Sequence, residues 1–191
     1  MGIRLAALAI IAALSLAVMA CDSDAGDPGA GNPGSRTIDY ETALADAPPA
    51  LKSLYERGDE LRSGGLPEFE AQLAELRGHP VVVNKWASWC GPCRFEFPFF
   101  QEVAAKRGDK VAFIGVDSDD SEDAARTFLD EFPVPYPSYS DPENEIARSL
   151  DAEREFPATV FIDSRGEQVY VHRGPYTSAG DLDAELDRYA R

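Results

Sequence analysis

Residues 81–98, VVVNKWASWCGPCRFEFP, constrain the fold of this chain more than any other stretch. The apolar, β-branched run at 81–86 is typical of a buried strand. A turn follows it, and a helix is predicted to start near Gly91–Pro92 and to continue to about Arg107. Pro98 lies inside that helix and predicts a kink. The stretch therefore predicts a strand that leads directly into a helix, with two cysteines at the junction.

The remainder of the chain alternates between strand and helix patterns. Further strands are predicted at 111–117, 159–163 and 168–173, the last two as a hairpin. Helices are predicted from Pro48–Pro49, from Pro67, after Ser121, around 142–151 and over 178–190, with loops at 63–65 and 133–137. This order predicts an α/β fold with a central mixed sheet flanked by helices.

Cys90 and Cys93 stand one helical turn apart at the predicted helix start. Positions i and i+3 share one helix face, close enough for a disulfide. Unpaired backbone N–H groups and the helix dipole are expected to stabilise a thiolate at Cys90 and to lower its pKa. Cys93 is expected to be more buried and to attack a mixed disulfide formed at Cys90. The spacing therefore predicts a redox pair with one nucleophile and one resolving thiol.

Two other roles are possible for the cysteine pair. A structural staple is disfavoured because so short a loop constrains the unfolded chain little. A zinc site needs four cysteine or histidine ligands, and the two histidines, His79 and His172, lie far apart without a motif. We therefore expect no metal and interpret both histidines as surface or packing residues.

The formal net charge of −16 restricts the partners of this chain. No basic stripe is available to neutralise phosphates, which argues against nucleic acid as a partner. The same acidity argues against a surface that is held on anionic lipid by charge.

The N-terminus resembles a bacterial export signal. Arg4 precedes an uncharged, apolar run at 5–20, which is shorter than the roughly 20 residues of a full membrane span. VMAC at 18–21 resembles a lipobox, so residues 1–20 are predicted to be a signal peptide and Cys21 to carry lipid. An uncleaved membrane anchor is the alternative. Either interpretation places the folded part outside the cytoplasm, tethered to a membrane.

The segment after the signal has the composition of a linker. Residues 21–36 are rich in Gly, Pro, Asp and Ser, and no large apolar side chain is present. Such a segment buries too little surface to offset its chain entropy, which predicts a disordered spacer. The folded domain is expected over 37–191, with a helical extension at 37–72 and a core at 73–191.

The motif WCGPC between a strand and a helix resembles the active site of the thioredoxin superfamily. The longer stretch 81–98 resembles the TlpA/ResA group of membrane-tethered thiol–disulfide oxidoreductases, and FPATVFID at 156–163 agrees with that likeness. The resemblance covers roughly 73–191 and implies a thioredoxin-like fold, with Cys90 and Cys93 as the catalytic residues and no bound cofactor.

The same resemblance implies a substrate site beside the cysteines. The family has a cis-proline before a strand at this point, so the Phe156–Pro157 bond is expected to be cis. Such a bond turns an edge of the backbone toward the active site, where an extended substrate can form hydrogen bonds with it. Trp89, Pro92, Phe156 and Pro157 are therefore the expected substrate-binding residues.

Three features depart from the family pattern. Asn84 stands where thioredoxins carry a buried acid; Glu96, the nearest acid in sequence, is interpreted as a solvated helix residue. Lys85 occupies a position that is commonly aromatic, and we expect its side chain to extend outward; near Cys90 its charge would instead lower the thiol pKa. Residues 38–72 are predicted to be helical, where the family usually has a β-hairpin, so what is known of the family does not extend to them.

Together these features predict a lipid-anchored, extracytoplasmic protein disulfide reductase. Its expected partners are proteins with disulfides or cysteine pairs, with apocytochrome c as a candidate, and a membrane electron donor of the thioredoxin-relay type. A disulfide-forming oxidase and a binding module with dispensable cysteines are the alternatives. A peroxidase is disfavoured because the Thr-x-x-Cys setting is absent.

Overall fold

The structure is a computed structural model that describes residues 38–191. Its helices are α1 (Tyr40–Ala43), α2 (Pro49–Tyr55), α3 (Gly65–Glu75), α4 (Gly91–Arg107), α5 (Glu122–Glu131), α6 (Glu145–Ser149) and α7 (Ala179–Tyr189). Its strands are β1 (Leu61–Arg62), β2 (Val81–Trp86), β3 (Ala112–Ser118), β4 (Ser138–Asp141), β5 (Ala158–Ile162) and β6 (Gln168–Arg173). The predicted signal peptide, the linker and Cys21 lie outside the described residues.

The strands form one mixed sheet in the order β1-β4-β3-β2-β5-β6. The pairs β1–β4, β4–β3 and β3–β2 are parallel, whereas β2–β5 and β5–β6 are antiparallel. The predicted hairpin is the β5–β6 pair. The predicted α/β fold with a mixed central sheet is therefore confirmed.

Both faces of the sheet are covered, and every residue of β2, β3 and β5 is buried. One core lies between the sheet and helices α4, α5 and α7, around Trp86, Phe97, Phe128 and Leu186. The other lies between the sheet and helices α2, α3 and α6. This double burial explains why the central strands are continuous apolar runs. It also means that a polar residue in β2 must find a partner inside the protein.

The sheet is wider than the sequence predicts, because two strands at one edge were not expected. The expectation of helix across residues 37–72 is wrong at Leu61–Arg62, which pair with Ser138–Tyr139 of β4. The amide N–H of Ser138 also donates to the carbonyl oxygen of Glu60 over 2.9 Å. Helix α4 runs through Pro98 without a break. Within residues 38–191 no helix is both long and apolar enough to cross a membrane.

Candidate active site

The two cysteines lie where β2 ends and α4 begins, and they are joined by a disulfide. Their Cα atoms are 5.3 Å apart. Cys90 is the N-cap of α4, and its Sγ accepts a hydrogen bond from the amide N–H of Cys93 over 3.1 Å. Cys90 is 3% exposed and Cys93 is fully buried. The arrangement is a two-electron couple in which the less buried cysteine, Cys90, lies at a helix N-terminus.

The turn that carries Cys90 is held by the loop after β3. The amide N–H of Ser88 donates to Asp120 Oδ2 over 2.5 Å, and the indole Nε1 of Trp89 donates to the carbonyl oxygen of Asp119 over 2.9 Å. Within the turn, the amide N–H of Cys90 donates to the carbonyl oxygen of Ala87 over 3.1 Å. These bonds fix the orientation of Trp89 although its side chain reaches into solvent.

An aromatic pair forms a wall beside the cysteines. The ring centroids of Trp89 and Phe156 are 4.7 Å apart, with Trp89 57% exposed and Phe156 half-buried. The Phe156–Pro157 bond is cis, Pro157 is buried, and Pro92 is exposed on the first turn of α4. The structure therefore brings Phe156 into contact with Trp89, the residue before Cys90.

Glu96 is buried, so its interpretation as a solvated helix residue is wrong. Its Oε1 accepts from Asn84 Nδ2 over 2.9 Å, and its Oε2 accepts from the amide N–H of Tyr176 over 3.0 Å. Burial raises the pKa of the Glu96 carboxyl to about 7, against the lowering effect of these two hydrogen bonds. A carboxyl that titrates near neutrality, one helical turn after Cys93 on α4, can accept or return a proton.

Lys85 is also buried, which contradicts the expectation of an outward side chain. Its Nζ donates to the carbonyl oxygens of Glu153 and Glu155 over 3.2 and 3.0 Å. The same atom lies 3.3 Å from the ring centroid of Phe156. Burial lowers the pKa of Lys85 to about 8, while nearby carboxylates act in the opposite direction. Lys85 therefore contacts the segment that precedes Pro157.

Asp117, near the end of β3, is a buried acid that the sequence reasoning missed. Among the described residues neither of its carboxylate oxygens has a hydrogen-bond donor. Burial, with a further contribution from Asp120, raises the pKa of Asp117 to about 8. Asp120 also accepts the hydrogen bond from the amide N–H of Ser88. The only sequence signal was an acid at the end of an otherwise apolar strand.

Neither histidine has a described contact with the cysteine pair. His172 stacks on Tyr176 with ring centroids 4.1 Å apart, and its Nδ1 is 3.2 Å from Glu185 Oε1. His79 follows α3, on the other side of the sheet from α4. Both positions suit packing or surface residues.

Residues 57–186 match the Redoxin family. The thiol-disulfide oxidoreductase ResA of Oceanobacillus iheyensis is 34% identical over 137 residues, which are 70% of this chain and 67% of that protein. A thiol:disulfide interchange protein DsbE homolog of Paracoccus denitrificans is 37% identical over 138 residues, 69% of this chain and 74% of that protein.

Solved structures show the same fold. A DsbF homologue from Corynebacterium diphtheriae superposes with a TM-score of 0.53 at 28% identity, covering 61% of this chain and 75% of the other. The structure of MTB dsbF gives a TM-score of 0.55 at 30% identity, covering 59% and 82%. The fold is therefore thioredoxin-like, and α1 and α2 lie before the residues that match the family.

Proposed function

Because this chain belongs to the Redoxin family and is a thiol–disulfide oxidoreductase, we propose that it works outside the cytoplasm as a protein disulfide reductase. The observation that carries the proposal is the Cys90–Cys93 pair at the start of α4, next to the exposed Trp89 and its half-buried partner Phe156. Trp89, Pro92, Phe156 and Pro157 frame the site for an extended polypeptide.

The proposed reaction transfers two electrons to a substrate disulfide. In the reduced protein the Cys90 thiolate attacks one substrate sulfur, so that a mixed disulfide forms and the other substrate sulfur leaves as a thiolate. The Cys93 thiolate then attacks Cys90 Sγ. This step releases the second substrate thiolate and forms the Cys90–Cys93 disulfide that the structure contains.

Glu96 is the proposed proton acceptor for the buried thiol of Cys93. Cys93 is fully buried and must lose its proton before it can attack. Glu96 lies on the same helix and is itself buried, with a pKa of about 7. Glu96 thus takes the role of the buried acid that thioredoxins carry at the position of Asn84.

The compartment and partners of the protein are proposed from its sequence. Residues 1–20 act as a signal peptide, Cys21 carries lipid, and 21–36 tether the domain at 37–191 to the membrane. In an oxidising compartment the pair must be reduced again after each turnover, which requires a membrane dithiol donor of the thioredoxin-relay type. Apocytochrome c, whose cysteine pair must be reduced before haem is joined, is the proposed substrate class.

A redox titration of the Cys90–Cys93 couple tests the direction of electron flow. A potential near or below about −270 mV, the value of thioredoxin, supports a reductase. A potential near about −120 mV, the value of DsbA, would overturn the proposal in favour of a disulfide-forming oxidase. The titration is done on the domain at 37–191 and on the membrane-bound chain.

A further inference from the structure

Lys85 places a positive charge inside the protein, one strand residue before Trp86. The side chain is 1% exposed, and its contacts are two backbone carbonyl oxygens and one aromatic ring rather than a carboxylate. Burying an ammonium group is costly unless such contacts offset the lost hydration. All three contacts belong to residues 153–156, the segment that leads to Pro157.

We propose that Lys85 is a positioning residue that anchors the segment 153–156 and orients Phe156 against Trp89, and so sets the affinity for the disulfide substrate. This inference rests on the proposed function, because it assigns the Trp89–Phe156 wall to the substrate site. Lys85 acts through Phe156 and takes no part in the exchange between sulfur atoms.

The segment 153–156 lies between two fixed residues: the amide N–H of Ala152 donates to the carbonyl oxygen of Ala147 over 2.9 Å, and the amide N–H of Gly174 donates to the carbonyl oxygen of Pro157 over 3.0 Å. Residues 151–157 form neither helix nor strand. Arg173 reaches the segment from β6, with Nη2 2.8 Å from the carbonyl oxygen of Asp151 and Nε 3.3 Å from Glu155 Oε2. Its side chain is 41% exposed, and exposed ion pairs contribute little to stability. Between Ala152 and Pro157, the hydrogen bonds to Lys85 are therefore the ones that come from a buried side chain.

The Phe156 ring connects Lys85 to the substrate site, because it contacts both Lys85 and Trp89. One contact of the ring is Lys85 Nζ, 3.3 Å from the centroid, and another is the Trp89 indole, 4.7 Å between centroids. Trp89 adjoins Cys90 in the chain. A ring that is already fixed before the substrate binds loses less conformational entropy on binding than a mobile ring would. Loss of the anchor therefore weakens substrate binding without changing the cysteines.

The anchor depends on the charge of Lys85, because the attraction to the ring face needs a cation. The carboxyl groups that face Lys85 are Asp141, Glu155, Glu153 and Asp119, and they favour the charged form. Burial opposes them and lowers the pKa of Lys85 to about 8. Substrate affinity is thus expected to weaken as the pH rises through about 8.

The test compares Lys85→Met with the wild type on a disulfide-bonded peptide. We expect the KM of the variant to rise about tenfold, since a cation–π contact with the accompanying hydrogen bonds is worth about that factor. The kcat and the potential of the Cys90–Cys93 couple are expected to stay unchanged. Above pH 8 the KM of the wild type should approach that of the variant. An unchanged KM, or a shift in the potential, would overturn the inference.

A double-mutant cycle with Phe156→Leu shows whether Lys85 acts through the ring. If it does, Lys85→Met adds little to the KM once the ring is absent. Full additivity of the two changes contradicts the proposed route. Thermal unfolding of each variant excludes a general loss of folding as the cause of a raised KM.

Fluorescence quenching tests the anchor without any substrate. The sequence has two tryptophans; Trp86 is fully buried and Trp89 is exposed, so acrylamide quenching reports mainly on Trp89. Lys85→Met is expected to increase quenching because the Phe156 ring no longer covers one side of the indole. Unchanged quenching contradicts the anchor. A wild type that reduces no peptide disulfide would instead overturn the proposed function alone.

Discussion

Asn84 and Glu96 form a hydrogen bond inside the protein, with Asn84 Nδ2 2.9 Å from Glu96 Oε1. Asn84 lies in β2 and Glu96 in α4, so the bond ties the strand before the cysteines to the helix after them. Asn84 Oδ1 is buried and has no partner among the described residues. Rotation of the Asn84 amide would present this oxygen to a protonated Glu96. The pair can therefore accommodate both protonation states of the carboxyl group.

Glu96→Gln is expected to slow thiol exchange by about a hundredfold at neutral pH, at the lower end of the range of general acid–base effects. Gln is nearly isosteric and can keep both hydrogen bonds if the Asn84 amide rotates, so the fold is retained. The wild-type pH–rate profile should contain a step near pH 7, where Glu96 titrates, and the variant should lack it. Stopped-flow kinetics with a peptide disulfide measures both effects.

The control for this prediction is Glu102→Gln, which changes an exposed acid on the same helix. Its rate and profile should match those of the wild type. A Glu96→Gln profile that retains the step near pH 7 would assign that step to another group and remove Glu96 from the mechanism.

The main strands were predictable because their sequences are continuous apolar runs, whereas β4 was not. Its sequence, SYSD, is mostly polar, yet the strand is buried because its polar groups have internal partners. Ser138 Oγ accepts from Trp86 Nε1 over 3.3 Å, and Ser118 Oγ donates to Asp141 Oδ2 over 3.0 Å. Strand β1 has only two residues and is defined by its pairing with β4. Local sequence patterns show neither the side-chain partners of β4 nor the pairing between β1 and β4.

The cysteine pair and the aromatic wall were predictable from motifs, but the buried charges were not recognised. A strand that is buried on both faces buries every side chain, so the prediction for residues 81–86 already implied that Asn84 and Lys85 lie inside. Glu96 falls three residues after Cys93 and four before Phe100, on the buried stripe of α4. What the sequence cannot supply is which partner each buried polar group meets, because those partners come from distant segments such as Tyr176 and Glu153.

Asp117→Asn is expected to stabilise the oxidised protein at alkaline pH. The pKa of Asp117 in the folded protein, about 8, lies above its ordinary value of 3.8, chiefly because of burial. Its contribution to stability is fully present below about pH 4 and is lost as the pH rises through about 8. The variant should therefore gain a few kcal/mol, in order of magnitude, at pH 9, and little at pH 4.

Urea unfolding at the two pH values measures the change in the free energy of unfolding. Asp123→Asn, which alters an exposed acid on α5, is the matched control and should leave the pH dependence unchanged. Identical pH dependence in Asp117→Asn and the wild type would show that Asp117 is charged or solvated in the folded state.

Trp89→Ala is expected to lower kcat/KM for peptide disulfides by about tenfold, because it removes an exposed ring from the substrate wall. The free energy of unfolding should change little, since the side chain is 57% exposed. Phe95→Ala is the matched control, because Phe95 is 60% exposed on α4 and packs on Phe99 rather than on Phe156. Equal losses in both variants would indicate a general apolar surface rather than a defined wall.

Cys93→Ser is expected to trap substrates as mixed disulfides at Cys90. The first attack needs only Cys90, which is the less buried of the two cysteines, whereas release needs the fully buried Cys93. Adducts that disappear on reduction should therefore accumulate on non-reducing gels, and mass spectrometry of the linked peptides identifies the substrates. Cys90→Ser is the control and should trap none, because Cys93 cannot reach a substrate directly. If Cys93→Ser forms no adduct and the function of the protein persists, the chain acts as a binding module and its cysteines are dispensable.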